Sequence, residues 1–526
     1  MSPTYLPPPP GSKVPLRTWV AVLASLLGAF MAVLDIAITN ASLRDILGAL
    51  SATQEEGSWI SSAYLVAEIV VIPLGGFLAT VFSTRRYLIV NVALFLVFST
   101  LCGMAWNLES MIAFRAAQGF TGGVMIPMAM TLVTRKLPIN KRPVGLALFG
   151  MTATLAPTLG PTIGGYLTEI YGWPSIFYIN WVPGVLLMLG VGWGLEREPM
   201  HLDLLKRVDW AGIVAMAVGL GSLTAMLEEG NSKDWFQSRF IITAAVLAVV
   251  GLYAWAWRGL TRENTFIDLH ILGRPSFLIA VVIAFTTGMG LYGSAFLLPL
   301  YLGQIAGYTP MQIGLVIMWM GLPQLFIMPF AARLSTKLDN RVMMSTGLAL
   351  FALSCFMNIH MTADTAGPEL IAAQIVRALG QPLIMITLSN FAINGIAPKL
   401  LPSASGLFNM MRNLGGSVGI ALLATMLTNR EHFHSARVGE SVSLYDLATQ
   451  TRLDTLAANF GAKGFDPVTA QDMALRAVDN IVRRESFVMA YNDAFMVLGV
   501  ALISCVAIVW FSKKVLGGAG AAEAAH

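Results

Sequence analysis

The sequence predicts an all-α polytopic membrane protein with fourteen transmembrane helices, built as two six-helix halves around an inserted helix pair. Three observations carry that prediction: a shortage of charge, a series of apolar runs of bilayer length, and an internal repeat. Of the 526 residues, 56% are hydrophobic and only 12% charged, where a soluble domain carries about 25% charged residues. A water-facing surface cannot be built from so little charge, which excludes a cytosolic enzyme, a disordered chain and a nucleic-acid binder. Lys and Arg number 33 against 29 Asp and Glu, an excess too weak and too scattered for a polyanion partner. Cys102, Cys355 and Cys505 lie inside apolar runs, so neither a disulfide framework nor a thiolate metal site is available. The six histidines form no intraspan pair able to hold a haem. The sequence also lacks a Gly-x-x-x-x-Gly-Lys-[Ser/Thr] phosphate loop. A redox enzyme and an ATP-driven pump are therefore rejected, and no metal or organic cofactor is expected.

A bilayer crossing needs about 20 mostly apolar residues. Such runs lie at 18–39, 58–80, 87–106, 111–133, 145–167, 175–195, 211–227, 240–257, 277–301, 311–332, 342–360, 369–392, 404–427 and 488–511. Residues 1–17 form a Pro-rich, extended tail. Residues 18–195 then hold the first six spans, 196–260 the inserted spans 7 and 8, 277–511 the second six, and 512–526 a small-residue tail. An even number of spans puts both termini on one side. Twenty Lys and Arg fall on that side and three (Arg44, Lys233, Arg239) in the short loops opposite, so both ends are expected in the cytoplasm. The polar segment 428–487 then lies outside and reads as amphipathic helix in water.

The repeat decides the architecture. Pro73-Leu74-Gly75-Gly76-Phe77-Leu78-Ala79-Thr80 resembles Pro329-Phe330-Ala331-Ala332-Arg333-Leu334-Ser335-Thr336 at an offset of 256 residues. Leu148-Phe149-Gly150-Met151 resembles Leu407-Phe408-Asn409-Met410 at 259, and the same offset maps Gly160 onto Gly419. Arg115-Ala116 and Arg377-Ala378 each open a helix. Span 2 thus matches span 10, span 4 matches span 12, and span 5 matches span 13. Parallel halves with a site between them near the midplane describe a secondary transporter.

A charge inside a span costs several kcal/mol, about 2.5–3.5 on insertion scales, and demands a partner, a cavity or a function. Asp35 in span 1 and Arg115 in span 4 each lie about 6–8 Å below the outer interface at 1.5 Å per residue. They share a depth, so they can pair, either as a proton-coupling couple or as a static buried pair. Glu68, near the middle of span 2, suits a proton site, a contact with a cationic substrate, or a neutral hydrogen bond to a neighbouring helix. Asn180, Trp319, Gln381, Asn409, Arg412 and Arg377 are the candidates for a substrate cavity, with a structural use open for the two arginines. Twenty-eight methionines supply adaptable apolar surface. Gly160 and Gly164 lie four apart on one helical face with Pro161 between and Gly165 beside them, a pattern for close helix approach expected at the interface of the halves.

Several of these stretches resemble the major facilitator superfamily, and within it the 14-helix drug:proton antiporter branch. Leu34-Asp35-Ile36-Ala37-Ile38-Thr39-Asn40 resembles that branch's first-helix signature, and Arg115-Ala116-Ala117-Gln118-Gly119 its fourth-helix motif. Ala156-Pro157-Thr158-Leu159-Gly160-Pro161-Thr162-Ile163-Gly164-Gly165 is similar to the fifth-helix antiporter motif, and Trp173 with Ile176–Asn180 and Pro183-Gly184 continues the pattern. The long segment before span 14 and the small-residue tail are similar to the EmrB type of inner-membrane pump. The resemblance implies a major facilitator fold, proton-driven export of hydrophobic or amphipathic drugs from a bacterial inner membrane, and no cofactor beyond the proton gradient. It also implies a periplasmic membrane-fusion adaptor (EmrA-type), docked on 428–487, and an outer-membrane channel (TolC-type). A carrier of one specific metabolite or fatty acid is the alternative on the same fold. One departure stands out: where the family reads Gly-x-Leu-Ala-Asp-Arg-x-Gly-Arg after span 2, Thr80 replaces the acidic residue and Ser83 the turn glycine.

Overall fold

The computed structural model describes residues 14–138, 141–262, 265–335, 337–393, 396–397, 400–443 and 445–511. The expected tails are largely outside the described residues: 1–13 of the first and all of 512–526. The chain folds into membrane helices in the expected order. The first half comprises α1 (Leu16–Ala41), α2 (Gln54–Phe82), α3 (Thr84–Gly103), α4 (Leu108–Lys136), α5 (Arg142–Tyr171) and α6 (Ser175–Gly194). The inserted pair is α7 (Trp210–Glu229) and α8 (Arg239–Thr261). The second half comprises α9 (Pro275–Gln304), α10 (Pro310–Leu334), α11 (Asn340–Phe356), α12 (Gly367–Ile393), α13 (Leu401–Ser441) and α14 (Pro467–Trp510).

Twelve of these helices are long and apolar enough to cross a bilayer, by length and composition among the described residues. Helix α5 adds two apolar segments, Arg142–Pro157 and Leu159–Tyr171, meeting at 43°. The bend falls just after Pro157, in the turn that Pro161 disrupts: its ring crowds the Pro157 carbonyl and offers it no N–H. Helix α11 is the short one, with 17 residues. It ends at Phe356 rather than continuing to 360, because residues 357–360 form turns. Capping boxes set three starts: Thr53 with Glu56 for α2, Asn107 with Ser110 for α4, and Thr309 with Gln312 for α10. Each satisfies donors that have no intrahelical partner.

The segment 428–487 differs in form from a loop. Helix α13 runs 41 residues and α14 runs 44, about 60 Å and 66 Å at the α-helical rise, twice the hydrocarbon thickness of about 30 Å. Both helices therefore leave the apolar slab as rods, bridged by a short helix, Leu447–Ala462, that packs on α14. Arg430 Nε and His434 Nε2 meet Asp493 at 2.6 and 2.8 Å and join the two rods where they emerge.

The repeat is visible as packing. Helix α5 lies on α1, where a Cβ on Gly160 would collide with Ala37 and one on Gly164 would meet the Ile38 carbonyl at 3.1 Å. Helix α13 lies on α9 in the same way, where a Cβ on Gly415 would collide with the Phe285 carbonyl and one on Gly419 would meet Met289 Cα at 2.8 Å. The glycine face of α5 thus serves its own half, a difference from the expected inter-half role. The contact between halves uses the other side of α5, where Thr162 meets Gly314 of α10. Gly165 is half-buried, and Pro161 faces the space between the halves.

Residues Arg85, Arg86, Arg135, Lys136 and Arg142 gather the helix ends of one face, called here the basic face. At this face the halves close on each other. Gly76 packs on Pro402, the Ser405 hydroxyl donates to the Pro127 carbonyl at 3.2 Å, and Gly150 packs on Met328 and Met385. The turn between α2 and α3 takes a positive φ of 69° at Ser83, the position of the substituted glycine, while Thr80 turns back to bond the Gly76 carbonyl. Helices α7 and α8 pack on each other and attach through α7 to α2 and α13. Arg258 holds Asp209, at the start of α7, by paired hydrogen bonds, and this keeps the Asp209 carboxyl below the usual carboxylate range.

Candidate functional site

Two polar features stand out in this apolar bundle. The first is a sealed network inside the first half. Asp35 on α1 is 2% exposed and Arg115 on α4 is fully buried. The Arg115 Nη1 donates to Asp35 Oδ2 at 2.6 Å. The other carboxylate oxygen accepts from Gln118 Nε2 at 3.0 Å and Asn180 Nδ2 at 2.7 Å. Arg115 also donates to the Ile60 carbonyl of α2 at 3.2 Å and to Gln118 Oε1 at 2.8 Å, and its guanidinium sits 4.3 Å from the Tyr64 ring centre. Asn180 reaches Ser99 on α3, whose hydroxyl bonds the Phe177 carbonyl. Five helices thus converge on one ion pair. Such convergence offsets the desolvation that burying two charges costs. Arg115 Nη2 remains without a hydrogen-bond partner.

The second feature is a cavity of about 440 Å³ between the halves, beyond the closed basic face. Ile36, Ala37, Pro161, Tyr292, Phe296 and Met320 give it apolar surface, and Glu68, Glu228, Gln374, Arg377 and Asn413 give it polar groups. Mostly apolar walls with a few convergent polar groups are the usual make-up of a small-molecule site. Val33, Ile36, Ala37 and Asn40 of α1 line the cavity, while Asp35 points to the opposite face of the same helix. The network therefore stands directly behind the cavity wall.

The proposed site residues divide between these features and the packing around them. Asp35 and Arg115 come together, with Asn180 bound to Asp35 instead of lining the cavity. Glu68 is 3% exposed and lines the cavity, where Asn413 Nδ2 donates to it at 3.4 Å. Arg377 also lines it and donates to the Leu291 carbonyl at 3.3 Å, with the Phe351 ring 5.0 Å away. Gln381 lies one turn behind it, against Gln324 at 2.6 Å, and its amide, turned to suit its neighbours, accepts from Arg377 Nε at 2.9 Å. Trp319 is 37% exposed and absent from the cavity wall, because its side of α10 faces outward. Asn409 belongs to the basic-face closure, bonded to the Ser405 carbonyl at 2.9 Å and to Met130 Sδ at 3.4 Å. Arg412 is buried with its guanidinium 5.8 Å from the Phe149 ring.

Sequence reasoning missed four residues. Gln118 stood in a motif with no role assigned to it. Ser99 is an ordinary serine in an apolar run. Glu228 and Glu229 close span 7, where acidic residues read as loop. Glu229 is in fact fully buried and accepts from Ser58 and Ser62 of α2 at 2.9 Å each, which pins α7 to the first half.

Two helical halves, a polar network in one, and a cavity between them are the architecture of a membrane transporter. Residues 25–420 match the family described as the Major Facilitator Superfamily, and the chain belongs to that family. It is 33% identical over 491 residues to the colistin resistance protein EmrB of Acinetobacter baumannii, covering 93% of this chain and 95% of that one. It is 31% identical to the multidrug export protein EmrB of Escherichia coli K12, covering 96% and 98%. The fatty acid resistance protein FarB of Neisseria gonorrhoeae is 30% identical, covering 97% and 99%. Among solved structures, the human organic anion transporter MFSD10 (TETRAN) superposes with a TM-score of 0.57 at 14% identity, covering 93% of this chain and all of that one. The chain is therefore a multi-pass membrane transporter related to the EmrB exporters and FarB, and not an enzyme.

Proposed function

We propose that this protein exports hydrophobic and amphipathic compounds in exchange for protons, from the inner membrane of a bacterium, with both termini in the cytoplasm. The observation that carries this reading is the Asp35–Arg115 network placed one helix face away from the inter-half cavity. A proton reaching Asp35 cancels half of the ion pair and frees Gln118 and Asn180, so it alters the packing of α1 against α4 and α6. Because the other face of α1 is cavity wall, that change reaches the bound compound. Asp35 and Arg115 are the coupling pair in this scheme, Glu68 a second protonatable group on the wall, and Arg377 a polar anchor. With the basic face inside, the closed seam there makes this the outward-facing state of an alternating-access cycle. Each proton entering gains about 2.3 kcal/mol per 100 mV of membrane potential.

The test is transport in inverted vesicles under an imposed pH gradient. Wild-type protein accumulates a hydrophobic dye when the lumen is acid, and Asp35→Asn does not. Dye uptake that persists in Asp35→Asn, or that runs with the proton flow, ends the reading.

A second proposal concerns partners. The rods formed by α13 and α14 with the helix Leu447–Ala462 offer a docking surface for an EmrA-type periplasmic adaptor and, through it, a TolC-type channel. Deleting 442–466 and joining the rods retains vesicle transport and loses resistance in cells. Lost vesicle transport would make the segment part of the pathway instead. The similarity to a fatty acid resistance protein and the cavity placement of Arg377 favour one alternative, a carrier dedicated to a lipophilic carboxylate. Competition of dye uptake by decanoate alone, with neutral and cationic compounds inert, would select it.

A further inference from the structure

The last turn of α7, the first helix of the inserted pair, holds two adjacent carboxylates with opposite surroundings. Glu229 is fully buried and satisfied by the Ser58 and Ser62 hydroxyls. Glu228 lines the inter-half cavity, and its Oε1 is shielded from solvent without a hydrogen-bond partner. The Ser417 side chain of α13 hydrogen-bonds the same carboxyl. One helical turn away on the same face of α13, Asn413 donates its Nδ2 to Glu68. That bond fixes the amide, so the unpartnered Asn413 Oδ1 is an acceptor by geometry. Glu68, Asn413, Ser417 and Glu228 thus form a polar strip across α2, α13 and α7, whose two middle members are about 6 Å apart along α13. Facing the same cavity from α12, Gln374 is 2% exposed and its Oε1 also lacks a partner.

We propose that α7 completes the cavity as a binding site for a ligand ammonium that carries N–H donors, held by Glu228 and Asn413 with Glu68 at the end of the strip. This rests on the export reading for its setting and adds the substrate class. The unpartnered wall atoms are acceptor oxygens, each costly to bury unpaired, at about 1–3 kcal/mol. A primary or secondary ammonium supplies both charge and donors. A quaternary ammonium supplies charge alone and leaves the oxygens unpaired. The apolar body of such a ligand lies against Phe296, Ile313 and Met320. The inserted pair is then part of the recognition site.

The experiment uses purified full-length protein in lipid nanodiscs and a matched pair of probes, 4-phenylbutylamine and its N,N,N-trimethyl analogue, with affinity read by calorimetry. The primary amine binds wild type about tenfold tighter, the factor that one charge-assisted hydrogen bond of about 1.4 kcal/mol sets. Glu228→Gln loses most of this preference, Asn413→Ala loses part of it, and Glu440→Gln on the exposed rod keeps it. Equal affinity of wild type for the two probes overturns the proposal, and so does a preference unchanged in Glu228→Gln. Should Glu228→Gln fail to fold, the wild-type comparison with Ser417→Ala and Asn413→Ala decides. Binding here needs no proton gradient, so failure of vesicle transport sinks the export reading without touching this result.

Discussion

Arg115 and Arg377 occupy equivalent places on the fourth helix of each half, yet their surroundings are opposite. Arg115 is neutralised by Asp35, enclosed by five helices and shut away from the cavity. Arg377 reaches the cavity wall, and among the described residues no carboxylate stands within ion-pair distance of it. A backbone carbonyl, an amide and the Phe351 ring hold it instead. The two halves share the arginine but not its counter-ion. One half therefore keeps a complete buried ion pair, and the other keeps an arginine on the cavity wall held by neutral groups. On the proposed reading coupling falls to the first half, while the cavity wall that meets a ligand draws on both halves and on α7.

The largest expected effect tests that division. Asp35→Asn leaves Arg115 buried without its counter-ion, a change that costs about 3–5 kcal/mol when a buried pair is broken. Adding Arg115→Gln removes the stranded charge and restores much of the stability, while proton-driven export stays lost. Thermal unfolding of single and double variants, read beside vesicle transport, separates the two roles. If the double variant regains both stability and transport, the pair is structural. Arg377→Gln has no counter-ion to strand, so it keeps proton coupling and weakens lipophilic carboxylates by about tenfold, the scale of one charge-assisted bond. Loss of coupling in Arg377→Gln would abolish the distinction between the halves.

The pairing of Asp35 with Arg115 was legible because depth along a span can be counted from its ends. The repeat was legible because its offset is constant over three pairs of spans. Azimuth was the weak coordinate. Trp319 and Met320 are adjacent in sequence and share a depth, yet Met320 lines the cavity and Trp319 faces outward. Only the rotation of α10 against its neighbours decides between them, and an apolar helix has no polar stripe to reveal it. Asn180 and Asn409 were misplaced for the same reason. Glu228 was missed on other grounds: it sits at the end of an inserted helix with no counterpart in the repeat, so nothing in the first half pointed to it.

A smaller effect measures how far the symmetry extends. Gly160→Leu and Gly419→Leu drive side chains into α1 and α9 at equivalent sites, and overpacking of this kind costs about 1–3 kcal/mol or more. The two variants lower the unfolding temperature by similar amounts. Gly164→Ala is milder, since its Cβ meets the Ile38 carbonyl at 3.1 Å and the helices can give by a few tenths of an ångström. A fall confined to one half would mean that the glycine faces share geometry without sharing load.

The smallest effect lies at the basic-face turns, where the halves differ again. Ser83 holds a φ of 69° and ψ of 132°, and its hydroxyl is buried without a partner. Ser335, after the equivalent helix α10, has a φ of −63° and donates to the Ala332 carbonyl at 2.9 Å. A non-glycine residue in that positive-φ region stores about 1–3 kcal/mol, which glycine relieves by having no Cβ. Ser83→Gly therefore raises stability by about 1 kcal/mol, because the glycine's greater freedom in the unfolded chain takes back part of the relief. Ser335→Gly, with no strain to release and a hydrogen bond to lose, lowers it. Thermal unfolding in detergent reads both signs. A lower melting point for Ser83→Gly would mean that the Ser83 side chain holds the turn more firmly than its backbone strains it, and the strain would then belong to the closure of the basic face.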